Sequence, residues 1–269
     1  MNKAISPKRI NDFQNKVFEW WSSNKREFPW RETTNPYYIM VSEIMLQQTQ
    51  TSRVTNKFLE FIKKYPTPEV LVKAKKSDLL STWSGLGYNR RALWLQEAAK
   101  QIIENKSFPQ TVKELQELKG VGKYTARSIL IFAFNSDLAT VDTNIRRILI
   151  AEGFASEETN ERELFEIAEK MVPKGKARDW ANALMDYGAM KLTASKTGIK
   201  PISKQGKFTG SDRQYRGKIL KILVNKKKIT LDKLQDEIDL HEKKLDEILQ
   251  KMIKEGLVAN KGKQYFIDE

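Results

Sequence analysis

The segment with the clearest chemical pattern is Leu118-Lys119-Gly120-Val121-Gly122-Lys123-Tyr124-Thr125-Ala126, between two stretches of helical spacing. Its glycines permit a tight turn, and its valine can anchor that turn. Free amides at the start of the following helix can then face a phosphate group. A hairpin of this kind holds a nucleic-acid backbone without reading bases. A lone Gly-Val-Gly is often an ordinary turn, but the flanking lysines strengthen the functional interpretation.

An acidic residue follows this hairpin after about one helix and a turn. Asp142 lies 142 − 124 = 18 residues beyond Tyr124, beside the apolar Val141 and ahead of Asn144. An acid in this place is typical of a helix N-cap, which is the simpler interpretation of Asp142 taken alone. The hairpin that precedes it favours a functional acid instead.

Composition restricts the chemistry that the chain can perform. The 269 residues include no cysteine and one histidine, His241. These counts exclude disulfides, thiolate nucleophiles, zinc–thiolate sites, cysteine-held iron–sulfur clusters and multi-histidine metal sites. Chemistry must therefore rest on carboxylates, hydroxyls, amides and cations. The excess of Lys and Arg over Asp and Glu, 48 − 34 = 14, predicts attraction to a polyanion, although a background of surface lysines gives the same number.

Five further segments, taken in order, resemble those of one family. They are Phe28-Pro29-Trp30-Arg31, Asn35-Pro36-Tyr37, Ser42-Glu43-Ile44-Met45-Leu46-Gln47-Gln48-Thr49-Gln50, Gly85-Leu86-Gly87-Tyr88 and Leu184-Met185-Asp186-Tyr187-Gly188-Ala189-Met190. With the hairpin and the acid, they resemble the helix-hairpin-helix (HhH-GPD) DNA glycosylase superfamily, and within it the MutY-type adenine glycosylases. The resemblance covers roughly residues 12 to 192.

The resemblance implies two carboxylates with different tasks. Hydrolysis of a purine–sugar bond passes through an oxocarbenium-like transition state, which needs a protonated acid near the base and an ionised one near the sugar. Glu43 takes the first role, protonating the adenine ring and then helping to activate water. Asp142 takes the second role, with Asn144 beside it. Without the resemblance, Glu43 is an exposed residue of an amphipathic helix.

Tyr124 implies a subtype. Superfamily members that also nick the strand have a lysine at this position, whose amine attacks the sugar and forms a Schiff base. A tyrosine cannot do this, so we expect a monofunctional glycosylase that leaves an abasic site. Lys123 is adjacent in sequence but does not share a helix face with Tyr124.

Base flipping needs a wedge that fills the vacated stack and a pocket for the extruded base. The resemblance assigns Gln47, Gln48 and Tyr88 to the wedge, and Trp30, Arg31, Leu46 and Asn182 to the adenine pocket. The aromatic residues among them are core residues in the alternative interpretation. The expected DNA contacts are Gln47, Gln48, Thr49, Tyr88, Lys119, Gly120, Val121, Gly122, Lys123 and Thr125.

Helical spacing positions these residues, for example at 54–62 and 126–134, and strand-like alternation is nearly missing before residue 200. We therefore expect an all-α, two-part HhH-GPD glycosylase fold over 1–192, with a DNA groove between its halves. Residues 193–210 are rich in lysine and glycine and predict a basic linker. Residues 211–269 follow the helix, strand, helix, helix, hairpin order of a winged-helix domain, which can place its third helix in a DNA groove or dock on another partner.

Two features depart from the family. Typical members hold an iron–sulfur cluster with four cysteines, whereas here Leu192 occupies the first such place and no cysteine follows. We expect no such cluster as a cofactor. Whether the hairpin binds a monovalent cation stays open. Members also often have a C-terminal domain that recognises 8-oxoguanine and resembles nucleotide pyrophosphatases. The winged-helix pattern replaces it here, which leaves the preference between 8-oxoguanine and guanine open.

The expected function is excision of adenine mispaired with guanine or 8-oxoguanine in double-stranded DNA, carried out by a monomer. One alternative is a thymine or uracil mismatch glycosylase acting opposite guanine, and another is a DNA-binding scaffold that has lost catalysis. No apolar run approaches the roughly 20 residues that span a bilayer, and the N-terminus lacks the apolar core of a signal peptide. We therefore expect a cytoplasmic, nucleoid-associated protein without membrane contact.

Overall fold

The computed structural model describes residues 5–201 and 206–269, so residues 202–205 of the predicted linker lie outside the described part. The described helices are α1 (Pro7–Ser22), α2 (Pro36–Leu46), α3 (Thr51–Lys64), α4 (Pro68–Val72), α5 (Lys76–Trp83), α6 (Arg90–Glu104), α7 (Val112–Glu117), α8 (Lys123–Phe134), α9 (Thr143–Ala151), α10 (Glu161–Lys170), α11 (Ala177–Asp186), α12 (Ala194–Thr197), α13 (Asp212–Lys226), α14 (Leu231–Ile238) and α15 (Glu242–Lys254). The strands are β1 (Lys228–Thr230), β2 (Ala259–Lys261) and β3 (Gln264–Phe266). The expected all-α fold with a small C-terminal α+β part is confirmed.

Local sequence explains where these helices form. In α3, Val54, Phe58 and Phe61 recur at helical spacing and are all buried, as one apolar face requires. Helix α8 begins after Gly122 and ends at Asn135, whose φ of 52° is the left-handed conformation common at helix C-termini. The helical spacing read from the sequence at these two places is confirmed.

The chain forms two compact units, each assembled from separate segments. The first comprises Met1–Glu43, Pro109–Glu117 and Val121–Lys204, and the second comprises Ile44–Phe108, Leu118–Gly120 and Gln205–Glu269. Helix α2 therefore runs from one unit into the other, and so does the glycine hairpin. The predicted division into 1–192, 193–210 and 211–269 stays a prediction.

The core of the first unit is formed by α1, α9, α10 and α11. Phe13 packs against Phe154 with ring centroids 5.0 Å apart, and against the edge of Trp180 at 5.6 Å. Buried side chains of this size each stabilise the fold by about 1.5–3 kcal/mol. Ile145 and Ile148 anchor α9 in the same core, which fixes the helix that begins at Asp142.

In the second unit, α4 packs on α6, while α5 contacts α3, α6 and α13. From α13 onward the elements follow the order predicted for a winged helix. Their strands form an antiparallel sheet of order β1-β3-β2, with Ile229 opposite Tyr265. Buried leucines from the three helices, Leu223, Leu234 and Leu249, lie in its core.

The predicted basic linker is not entirely irregular. Thr193 caps the short helix α12, which ends at Gly198 with φ 72° and contacts α9. The first part of residues 193–210 is therefore packed within the first unit. Within the described ranges, no helix combines the length and apolar content that crossing a bilayer needs.

Candidate active site

Glu43 lies on α2, a helix whose sides are nearly all buried. Its neighbours Met40, Val41, Ile44 and Met45 are each at most 1% exposed. A helix that is apolar all round is buried all round, and Glu43 is accordingly only 8% exposed. The interpretation of Glu43 as an exposed residue of an amphipathic helix is therefore wrong.

Burial changes the acid–base behaviour of Glu43. Its pKa is raised from 4.5 to about 7, first because burial removes hydration from the charged form. The Ser128 hydroxyl, which lies beside Glu43, opposes this rise in pKa, whereas the negative charge of Asp142 adds to it. A carboxyl group with this pKa is protonated in a large fraction of molecules at neutral pH and can donate that proton.

Helix α8 supplies two further polar groups to the surroundings of Glu43. Tyr124 and Ser128 are one turn apart on this helix and so share a face. Burial, followed by the charges of Glu43 and Asp142, raises the pKa of Tyr124 well above its ordinary value, so the phenol stays neutral. Ser128 is fully buried, and its Oγ has no partner of normal hydrogen-bond geometry in the described part of the chain.

Asp142 is the N-cap of α9. Its Oδ1 accepts a hydrogen bond from the backbone N of Ile145 at 2.7 Å, and its Oδ2 accepts one from Asn144 Nδ2 at 2.9 Å. Negative charge is favourable at a helix N-terminus, so the amides at the start of α9 are suitable partners for a carboxylate. The charge of Asp142 raises the pKa values of Glu43 and Tyr124, so this N-cap residue lies near both of them.

The Asn144 amide is itself held by Arg147, a residue that the sequence reading missed. Arg147 Nη2 donates to Asn144 Oδ1 at 2.6 Å and to the Gly188 carbonyl at 2.8 Å, and Arg147 Nε donates to the Leu192 carbonyl at 2.6 Å. Gly188 lies in a π-helical turn, Tyr187–Lys191, where a Cβ would approach Asn144 Cβ to 3.0 Å. The glycine therefore permits the close packing that fixes the Asn144 amide.

Three of the four predicted pocket residues lie in the first unit, and Leu46 lies in the second. Trp30 is buried and stacks on Phe28, with ring centroids 4.9 Å apart and planes 7° apart. Asn182 is also buried, at 8% exposure. Arg31 differs from the expectation, because two of its nitrogens bind the buried carboxylate of Asp186 at 2.8 and 3.0 Å.

Asp186 is a second residue that the sequence reading missed. Burial alone would raise its pKa, but hydrogen bonds and charges from Arg31 and Arg26 hold the pKa of Asp186 below its usual range. Its Oδ2 also accepts a hydrogen bond from Trp21 Nε1 at 2.9 Å. Arg31 is therefore tied to an internal ion pair next to Trp30, and we describe it as a positioning residue for that segment.

The glycine hairpin has the geometry its sequence demands. Gly120 has φ 80°, and a Cβ there would lie 2.9 Å from Trp94 Cβ, so glycine is required on both counts. Val121 is 6% exposed, whereas Lys119 and Lys123 are exposed. Gly122 is the N-cap of α8 and leaves the first amides of that helix free of a side-chain cap. Thr125, in contrast, is only 4% exposed, and its contact with DNA stays a prediction.

Two turns of the second unit carry the predicted wedge. Gln48 is exposed with φ 55°, and Tyr88 has φ 46°, both in the left-handed region that is unusual for residues other than glycine. Gln47 Nε2 donates to the Gly120 carbonyl at 3.2 Å. The Thr49 hydroxyl donates to the Leu86 carbonyl and accepts from the guanidinium of Arg91, and the contact of Thr49 with DNA stays a prediction.

Arg91 is the residue that joins these turns. Its buried guanidinium donates to the carbonyls of Ile44, Met45, Gln47, Leu86 and Gly87. Burial lowers its pKa to about 10, which leaves Arg91 charged at neutral pH. One cation thus satisfies the free carbonyls at the end of α2 and in the following turn.

Comparison with known proteins agrees with this geometry. A family model described as "HhH-GPD superfamily base excision DNA repair protein" matches residues 41–174, which include Glu43, the hairpin and Asp142. The adenine DNA glycosylase of Mycobacterium tuberculosis is 32% identical over 246 residues, covering 82% of this chain and 80% of that protein. The chain belongs to the HhH-GPD superfamily. This superfamily member is a DNA glycosylase of base excision repair.

Other relatives of this HhH-GPD protein act on different bases. The thymine/uracil-DNA glycosylase of Methanothermobacter thermautotrophicus is 34% identical over 196 residues, covering 71% of this chain and 88% of that protein. A solved structure of a thermostable thymine-DNA glycosylase matches with a TM-score of 0.67 at 34% identity, covering 71% of this chain and 90% of that one. An endonuclease III–DNA complex, at 20% identity and a TM-score of 0.63, shares the fold.

The residues of this HhH-GPD protein do not provide the cysteine ligands that the family's iron–sulfur cluster needs. The chain has no thiolate to offer, and at the place of the family's first cysteine stands Leu192, whose carbonyl instead accepts a hydrogen bond from Arg147. Across residues 5–201 and 206–269, no group of three or more acidic or histidine side chains is placed to hold a metal ion.

Proposed function

We propose that this protein is a monofunctional adenine DNA glycosylase, which removes adenine mispaired with guanine or 8-oxoguanine. The observation that carries the proposal is the buried Glu43, whose pKa of about 7 makes it an acid at neutral pH. Asp142 is near enough for its charge to act on Glu43, and the neutral Tyr124 lies near both. This pairing of a protonated acid with an ionised one is what hydrolysis of a sugar–base bond requires.

In the proposed reaction, Glu43 donates its proton to the adenine ring as the bond between base and sugar breaks. The bonding electrons leave with the neutral adenine, and the positive charge that develops on the sugar lies near the Asp142 carboxylate. Glu43, now ionised, accepts a proton from the water that adds to the sugar carbon. Asn144 holds one oxygen of Asp142 through its amide, so the carboxylate keeps its orientation during this step.

Tyr124 accounts for the proposed absence of strand cleavage. A phenol with a raised pKa is neither an amine nor an available phenolate, so it forms no Schiff base with the sugar. The proposed product is therefore an intact strand with an abasic site. No cysteine-held cluster takes part in this proposal, because the chain has no cysteine.

The second candidate is a thymine or uracil glycosylase acting opposite guanine. The 34% identity to the thymine/uracil-DNA glycosylase supports it. A protonated glutamate is more useful for a purine, whose ring nitrogens accept a proton readily, and several adenine glycosylases are similar over more of this chain. We therefore place adenine first.

The experiment is a panel of duplexes with A:8-oxoguanine, A:G, T:G and U:G pairs, each treated with alkali after incubation to break abasic strands. Adenine pairs should be cleaved after alkali and remain intact without it. Glu43→Gln and Asp142→Asn should each abolish cleavage while DNA binding survives, and Glu19→Gln, at an exposed position of α1, is the matched control. Cleavage confined to T:G and U:G supports the second candidate, and unchanged cleavage by Glu43→Gln rejects the catalytic assignment.

A further inference from the structure

A cleft of about 760 Å³ lies within the second unit. The turns that carry Gln48 and Tyr88 line one side, and a face of α13 lines the other. Helix α13 belongs to the C-terminal winged-helix elements, which the function proposed above does not use.

The charge of the cleft is entirely positive. Arg53, Arg213, Lys218 and Lys221 line it, and no acidic residue does. None of these four cations forms an ion pair with any described carboxylate. Unpaired cations that converge on one concave surface favour a polyanion as its ligand.

Four other cations of the winged-helix elements, Arg216, Lys226, Lys244 and Lys251, form ion pairs within the protein. Lys244 and Lys251 of α15 both face Asp212, at 2.9 and 3.4 Å, and Arg216 pairs with Glu255. A winged helix usually presents its third helix, here α15, to DNA. In this protein, three of the four cations that line the cleft are instead on α13, the first helix.

Gly217, on the same cleft-lining face of α13, supports this interpretation independently of charge. It lies inside α13, where glycine is the least favourable residue other than proline, and it lines the cleft. A Cβ at Gly217 would meet no protein atom within 4 Å, so packing gives no reason for a glycine. A glycine on a cleft wall lets the backbone of a ligand approach the helix closely.

Arg213 connects the cleft to the predicted wedge. Its Nη1 donates to Tyr88 Oη at 3.0 Å, and its guanidinium carbon lies 5.4 Å from the centre of the Tyr88 ring. The side chain of Tyr88, whose backbone has a left-handed φ, is therefore held by a residue of the C-terminal elements. Strained residues of this kind are typical of functional sites.

We propose that this cleft binds the phosphodiester backbone of the duplex, with Lys218 and Lys221 of α13 neutralising phosphates and Arg213 positioning Tyr88. The C-terminal elements then serve as a second DNA-binding surface in addition to the glycine hairpin. The proposal rests on duplex DNA being the substrate, but it does not depend on which base is excised.

The test compares two double variants of the full-length protein. Lys218→Gln with Lys221→Gln removes two cleft cations, whereas Lys233→Gln with Lys243→Gln removes two exposed cations of α14 and α15 that do not line the cleft. Affinity for a short duplex is measured across salt concentrations. The duplex contains a tetrahydrofuran abasic analogue opposite guanine, so it offers no base to excise.

Each phosphate contact contributes about 0.9 to the slope of log affinity against log salt, so the cleft variant should lose about 1.8 from the slope. Over a fourfold rise in salt, the wild-type protein then loses about 12-fold more affinity than the cleft variant. The control pair should keep the wild-type slope. Equal slopes for the two double variants overturn the proposal and favour an acidic protein surface as the ligand of the cleft.

Gly217→Gln adds a test that misfolding cannot imitate. The substitution fills the cleft wall and improves the helix, so the melting temperature should rise while affinity for the abasic-analogue duplex falls. Higher stability with unchanged affinity overturns the proposal. If the protein proves to excise thymine rather than adenine, the adenine assignment fails while these binding results stand.

Discussion

Substitution of the buried acid by its uncharged analogue, Glu43→Gln, should abolish catalysis and yet stabilise the protein at alkaline pH. The pKa of Glu43 is raised from 4.5 in an exposed chain to about 7 in the folded state. The folded state therefore binds this proton more tightly than the unfolded state does. Stability is full below the unfolded pKa, falls as pH rises from 4.5 toward 7, and is constant above that.

The magnitude follows from the shift. A difference of 7 − 4.5 = 2.5 pKa units corresponds to about 3 kcal/mol of unfolding free energy, since each unit is worth about 1.4 kcal/mol. Glutamine has no proton to lose, so Glu43→Gln escapes this cost. As the pH rises from about 4 to about 8, the free energy of unfolding of the variant should therefore increase by about 3 kcal/mol relative to that of the wild-type protein.

Urea unfolding curves of both proteins across this pH range measure the difference directly. Glu19→Gln, at an exposed position, serves as the control and should show no pH-dependent difference from wild type. In parallel, the single-turnover excision rate of the wild-type protein should fall about tenfold per pH unit above the Glu43 pKa, because the acid is then ionised. A stability difference between Glu43→Gln and wild type that stays constant with pH refutes the reasoning.

Three further substitutions have expected outcomes. Ser128→Ala removes the hydroxyl that lowers the pKa of Glu43, so the alkaline fall in excision rate should move to higher pH in a pH–rate profile. Gly120→Ala forces a side chain into a φ of 80° and against Trp94, and should lower the free energy of unfolding by about 1–3 kcal/mol, measured by urea unfolding. Gly217→Ala should stabilise α13 by up to about 1 kcal/mol, seen as a higher melting temperature.

Local features of the sequence were sufficient to predict some parts of the structure. The glycine hairpin follows from residues adjacent in sequence, and the left-handed Gly120 has the geometry that only glycine adopts easily. The role of Asp142 as an N-cap can be predicted from the sequence because its carboxylate accepts a hydrogen bond from an amide only three residues away. The burial of Glu43 was not predicted, because the residue taken alone was interpreted as exposed on an amphipathic helix.

Other parts depend on contacts between distant segments, which no local pattern reveals. Arg147 reaches the Gly188 carbonyl because a π-helical turn brings that carbonyl toward α9. Arg31, which the resemblance assigns to the adenine pocket, binds Asp186, a residue 155 positions further along the chain. Arg213 and Tyr88 are 125 positions apart, so their hydrogen bond requires the tertiary structure.

The discontinuous first unit has a practical consequence for anyone who wishes to isolate the acid-bearing half. Glu43, Tyr124 and Asp142 all belong to it, but its chain leaves after Glu43 and returns only at Pro109. A fragment cut at any single position therefore either loses one of these residues or retains the intervening segment. Limited proteolysis should yield active material only when both pieces stay associated, and a minimal catalytic version calls for a redesigned connection across 44–108 rather than a truncation.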